Sequence, residues 1–151
     1  MILNPYMISK LLVKTITDGG ATVNIEAPDT YENVTDDRWA VALGKEHEAS
    51  MKTIEALRHP LDFKAVVEGV AGQVKQLNDD FKAVTGQSVN LYAVGTWISN
   101  DALIVEPVQL VTDTYEALTL AIERNQSSIY HLTRQEYVSI DDLKELLKGG
   151  K

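Results

Sequence analysis

The sequence predicts an α+β fold: a single domain over residues 1–151, in which a mixed β-sheet is covered by helices. Three observations carry that prediction. Residues 89–132 read as strand, tight turn, strand, helix, strand, that is, a central hairpin followed by a strand–helix–strand unit. Residues 61–85 hold the clearest helical period in the chain, which predicts one long helix. The 44% hydrophobic and 24% charged content exclude disorder, and 151 residues fit one domain that buries roughly 70% of the surface its unfolded chain would expose.

The elements follow in order. Ile8, Leu11, Leu12 and Ile16 recur at helical spacing, with Pro5 at the entry and Asp18-Gly19-Gly20 at the stop. Val23, Ile25 and Ala27 alternate with Thr22, Asn24 and Glu26, the pattern of a half-buried strand. Trp39, Val41 and Leu43 share one side of a second short strand, and the acidic connection between the two predicts a loose hairpin. Residues 47–58 read as a short helix. Pro60 suits the first turn of the next, where Phe63, Val67, Val70, Val74, Leu77, Phe81 and Val84 follow at spacings of 4, 3, 4, 3, 4 and 3. That stripe either packs on the sheet or forms a coiled-coil seam. Gly69 and Gly72 weaken an isolated helix and favour packing, and Gly86 ends the helix.

In the central hairpin Leu91, Ala93, Gly95 and Trp97 lie on one face and Tyr92, Val94, Thr96 and Ile98 on the other. Both faces are apolar, which predicts a central strand. Asn100-Asp101 supplies the turn. Pro107 cannot donate a ladder hydrogen bond, so the returning strand is expected at an edge or bulged there. Asp113 or Thr114 caps a helix with Ala117, Leu118, Ala121 and Ile122 on one face. The following strand, Ile129 to Leu132, could pair in parallel across that helix. Ser139 or Asp141 caps a last helix bearing Leu143, Leu146 and Leu147.

The net charge of −8 is unevenly spread. Neither residues 15–37 nor residues 83–123 contain a Lys or Arg; eleven of the 22 acids lie there, so the rest of the chain carries +3. Such segments offer no basic footprint for a nucleic-acid backbone, and direct nucleic-acid binding is not expected. No apolar run approaches the ~20 residues of a membrane span, and the N-terminus lacks a basic n-region and a cleavage site. With no Cys there is no disulfide or thiolate chemistry, and a cytoplasmic protein is expected.

No catalytic signature appears. His47, His59 and His131 have no metal-ligand spacing, and no nucleophile elbow, phosphate loop or dinucleotide fingerprint is present. Asp36-Asp37, Asp79-Asp80 and Asp141-Asp142 suit a loop, a solvated helix face and a helix cap. No metal, cofactor or catalytic residue is therefore assigned, and His131 reads as a hydrogen-bonded structural histidine.

Several short runs carry a resemblance: residues 17–22 (Thr-Asp-Gly-Gly-Ala-Thr), Ala40-Val41-Ala42 after an aromatic, and Glu116-Ala117-Leu118 with Arg124-Asn125-Gln126, Ile129-Tyr130 and Leu132. Together they resemble small uncharacterised proteins of phages and mobile elements in Gram-positive, especially actinobacterial, hosts. The resemblance covers under half the chain, and Ile104-Val105-Glu106-Pro107 departs from that family's aspartate-containing run. It implies an accessory protein and no activity. With the missing motifs and the clustered acids, it leads to a non-catalytic protein that docks on a host protein, as an anti-defence factor of anti-CRISPR or anti-restriction type. The partner expected is one with a basic nucleic-acid groove, steered by complementary charge. The expected contacts are Asp29, Glu32, Asp36, Asp37, Asp101, Glu106, Asp113 and Glu116, exposed on one acidic face. The alternatives are a small enzyme using Asp or Glu with His131, or a virion or structural protein that oligomerises through the long helix.

Overall fold

The computed structural model describes residues 5–23, 37–87, 91–134 and 136–149. Among the described residues, five α-helices and seven strands make one α+β unit: α1 (Pro5–Asp18), β1 (Gly20–Val23), β2 (Trp39–Ala42), β3 (Ala49–Lys52), α2 (Thr53–Arg58), α3 (Pro60–Thr85), β4 (Tyr92–Ser99), β5 (Ala102–Val111), α4 (Thr114–Glu123), β6 (Ser128–His131), β7 (Glu136–Ser139) and α5 (Ile140–Gly149). The strands form one sheet in the order β1-β4-β5-β2-β6-β7, with β3 also paired to β5.

The α+β class, the central hairpin and the long helix are as the sequence predicts. The sheet, expected mixed, is antiparallel in every pairing among the described residues. The strand–helix–strand unit forms, but β6 pairs antiparallel with β2 instead of parallel with β5. β2 occupies the place beside β5 that a parallel partner would need. The loose hairpin is not formed either: β1 lies beside β4, and two strands, β4 and β5, separate it from β2.

β5 is the central strand, and Pro107 is accommodated without a bulge. Along one side β5 pairs with β4 from Ala102 to Gln109. Along the other, β3 covers Ala102 to Val105 and β2 covers Val108 to Val111. Pro107 falls between the two short partners, where no strand asks for its missing N–H. The chain crossing that gap is a one-turn helix, Lys45–His47, so residues expected in one helix over 47–58 instead form part of this turn, β3 and α2.

Alternation sorts the sheet into two faces. On the outer face, Leu103, Val105, Val94, Ala21 and Val23 pack under α1 and α3. Trp39, Val41, Val111 and Ile129 pack under α4 and α5 on the same face. α1 is tied down by Thr15, whose hydroxyl lies 2.6 Å from that of Thr96 on β4. The α3 stripe packs within its own chain: Phe63, Val67, Val70 and Val74 are buried. Phe81, expected buried, is only half-buried and Val84 is 86% exposed, because the last turns of α3 run past the sheet. Where the helix leaves it, Asn78 binds the start of β4. Its carbonyl accepts from the amides of Leu91 and Tyr92, and its amide donates to the Tyr92 carbonyl.

The helix ends follow local chemistry. The Asp113 carboxylate accepts from the Glu116 amide, Ser139 Oγ accepts from the Asp142 amide, and Gly86 takes the left-handed conformation. Asn100 turns the hairpin at φ 57°.

Candidate functional site

The inner face of the sheet is where the molecule departs from simple packing. The sheet curls until its last strand faces its first. Tyr137 of β7 stands with its ring 6.3 Å from that of Trp97 on β4, and its hydroxyl reaches the β1 edge beside Gly20. Between these strands lies a partly enclosed cavity of about 740 Å³.

Small residues make the space. Ala40 and Ala42 of β2 and Gly95 of β4 line it, and Gly20 of β1 stands beside the Tyr137 hydroxyl. Gly20 is the register partner of Trp97, and Gly95 that of Glu106. A Cβ on Gly95 would come within 2.9 Å of Val108 Cγ1, and one on Gly20 within 2.8 Å of the Thr96 carbonyl oxygen. A side chain at either position would displace a wall of the cavity.

Glu106 of β5 projects into this space. It is only 8% exposed. Its Oε1 accepts from Trp97 Nε1 at 3.1 Å, across the diagonal between neighbouring strands. Its other carboxylate oxygen has no hydrogen-bond partner among the described residues, and it is not sealed from solvent. Burial, then the charge of Glu48, push the Glu106 carboxyl up to about 7, against a smaller opposing effect of the Trp97 hydrogen bond. Glu48 and Lys45 arrive from the turn that crosses the gap between β2 and β3. The gap that tolerates Pro107 therefore also brings charged groups next to its neighbour in sequence.

Aromatic rings complete the wall. Tyr130 and Tyr137 meet edge to face at 4.8 Å, and Tyr137 adjoins Trp97. Tyr137 is half-exposed, yet its hydroxyl end is desolvated. Its pKa is raised by burial first, then by the charges of Glu106 and Tyr130. Tyr130 is raised by burial and by Asp18. Among the described residues, no group of three or more His, Cys, Asp or Glu stands close enough to hold a metal ion. No helix among them is long and apolar enough to cross a membrane.

The residues expected on one acidic face are dispersed. Asp29, Glu32 and Asp36 lie outside the described residues. Asp101 sits at the hairpin tip, at the far end of β5 from Asp113; ten residues of strand span roughly 30 Å. Asp37, Asp113 and Glu116 are exposed near the other end, where β2 begins and α4 starts. Glu106, expected exposed, is buried in the cavity, because its alternation places it on the inner face of a central strand. The two base-free segments do meet, through the pairing of β1 with β4, but the described acids Asp101, Glu106 and Asp113 stand at different places along β5.

His131 lies elsewhere. It is buried on the outer face against Trp39, edge to face at 4.6 Å. Its Nδ1 accepts from the Arg134 amide, and its Nε2 lies 3.2 Å from Asp37 Oδ1. It does not line the cavity that Glu106 enters, and the acid beside it is the exposed Asp37.

The signal for Glu106 was present in the sequence as one acid in an apolar run, Leu103 to Val108, but Pro107 led that strand to be expected at an edge or bulged, where an acid meets solvent. Comparison with protein-family models, with curated proteins and with solved structures returns no match, so the assignment of a function rests on this geometry.

Proposed function

We propose that this chain is a non-catalytic binding protein whose working surface is the inner face of its curled sheet, where a small organic ligand enters beside Glu106. The observation that carries this reading is the cavity of about 740 Å³ with a buried carboxylate in its wall. Ligand sites span roughly 300–1,000 Å³ and combine apolar walls with a few placed polar groups. Trp97, Tyr130 and Tyr137 supply the wall, and Glu106 the placed group. A carboxylate desolvated this far costs stability, and such groups concentrate where a site uses them. Catalysis is not part of the reading, because His131 is engaged on the opposite face.

The experiment is a thermal-shift screen of cationic, neutral and anionic fragments against the parent and Ser128→Trp. Ser128 is half-buried on the cavity wall, so the indole takes up cavity space without entering the outer cores. Binding to the folded state raises the melting temperature by mass action. Fragments should stabilise the parent and not Ser128→Trp. A parent that responds to no fragment, or variants that respond equally, overturns the proposal.

A second reading keeps the host-protein partner. In it, the chain is a cytoplasmic accessory protein of a phage or mobile element, including an anti-defence role, that docks through Asp37, Asp113 and Glu116. Its support is the short motif resemblance and the placement of these three exposed acids at one end of the sheet. Asp37→Lys and Glu116→Lys, with Asp113→Asn to keep the cap, should then weaken binding to a captured host protein, most at low salt. Equal binding at low and moderate salt contradicts it.

A further inference from the structure

Resting on the cavity as the binding site, we infer that its ligand is an organic cation. An ammonium group would be received by Glu106 with Glu48 beside it, and its body held against Trp97, Tyr130 and Tyr137. Three features of the cavity converge on that class.

The first is the disposition of charge. Two carboxylates approach each other at the wall, and neither has an ion-pair partner among the described residues. Asp18 and Glu136 also line the space, each ion-paired outside it with Lys14 and Arg134, and Lys45 is the single basic residue of the lining among the described residues. A ligand cation removes the repulsion between Glu106 and Glu48, whereas an anion adds to it. The second is that Glu106, more than nine-tenths buried, offers the cavity a carboxylate oxygen that Trp97 leaves open. A hydrogen bond from an ammonium to an ionised carboxylate is about twice as strong as one between neutral groups. The third is the aromatic wall beside that oxygen. Trp97 and the tyrosines form one continuous set of rings, and a cation over a ring face gains further attraction from its quadrupole.

Protonation of Glu106 competes with such a ligand. The groups around it are Glu48 and Lys45 from the turn, Trp97 from β4, Tyr137 and Glu136 from β7, Tyr130 from β6 and Asp18 from α1. Glu106 takes up a proton as the pH falls through about 7, and then has no charge to offer a cation. Cation affinity should therefore rise with pH, and binding at pH 6 should release a proton.

The test is calorimetric titration of the parent with phenethylammonium, its neutral isostere 2-phenylethanol, and phenylacetate, at pH 5 and pH 8. The cation should bind at least tenfold tighter than the alcohol at pH 8, and its affinity should rise on the order of tenfold or more from pH 5 to pH 8. Phenylacetate should be weakest. Glu106→Gln keeps an oxygen for Trp97 and should erase the preference for the cation while leaving the alcohol's affinity within about twofold. Glu48→Gln should reduce the preference partially and serves if the first variant does not fold. Alcohol or anion binding as well as the cation, or a preference unmoved in both variants, overturns the inference and leaves the cavity as a ligand site. If none of the three probes binds, both are overturned.

Discussion

Replacing Glu106 by Gln should stabilise the protein at high pH and leave it nearly unchanged at low pH. The folded-state pKa of Glu106 is raised from 4.5 to about 7, by burial first and by Glu48 second. Between those values the folded protein holds a proton that the unfolded chain releases. Stability therefore falls as the pH rises through this window and is lowest above 7, the reverse of a salt-bridged carboxylate. At 1.36 kcal/mol per decade, the charged carboxylate costs on the order of 3 kcal/mol at pH 8. Glu106 is only 8% exposed, so solvent screening removes little of this. Gln fills the same volume, can accept from Trp97 Nε1, and carries no charge to desolvate. Urea unfolding of parent and Glu106→Gln at pH 4.5, 6 and 8 measures the difference. The variant should match the parent within about 1 kcal/mol at pH 4.5 and gain up to about 3 kcal/mol at pH 8. A difference that does not change with pH, or a variant less stable at pH 8, would show that Glu106 is not held as a desolvated acid.

Further outcomes follow from the packing. Phe63→Ala should cost about 3–5 kcal/mol, because Phe63 is fully buried under the sheet, whereas Val84→Ser on the same stripe should change stability by under about 0.5 kcal/mol; thermal unfolding compares them. Asn78→Ala leaves the amides of Leu91 and Tyr92 without their acceptor and should cost about 2–3 kcal/mol, with faster hydrogen exchange at those two amides. Gly95→Ala drives a methyl into Val108 and should cost about 1–3 kcal/mol, with most of the loss recovered in Gly95→Ala/Val108→Ala; absence of that recovery in denaturant melts would contradict the close approach.

What the sequence disclosed was local. The α3 period, the Asn100 turn, the Asp113 cap and the terminal Gly86 each depend on neighbours within a few residues, and each is found where it is read. What it did not disclose was pairing over distance. Ala49–Lys52 is too short and too mixed to stand out from the helical stretch around it, and it becomes a strand because β5 offers it an edge. The loose hairpin of β1 with β2 was read from adjacency in sequence, and the central β4–β5 hairpin separates them instead. The same shortfall misplaced Glu106. An acid is expected on the surface unless something marks its face as inner, and that mark is the pairing of Glu106 with Gly95. Pro107 signalled an interruption in pairing, and its resolution by two half-length partners is visible only in the assembled sheet.

If the inner cavity is the binding site, the two tryptophans report it through two separate signals. Trp97 donates its indole N–H to Glu106 inside the cavity, while Trp39 donates its own to Thr114 Oγ1 at 3.1 Å on the outer face. A nitrogen-15 correlation spectrum at pH 8, titrated with phenethylammonium, follows both indole groups at once. The Trp97 signal should shift in a saturable way and lose its response in Ser128→Trp, while the Trp39 signal stays in place. A titration in which Trp97 does not move, or in which both indoles move together, contradicts the cavity as the binding site.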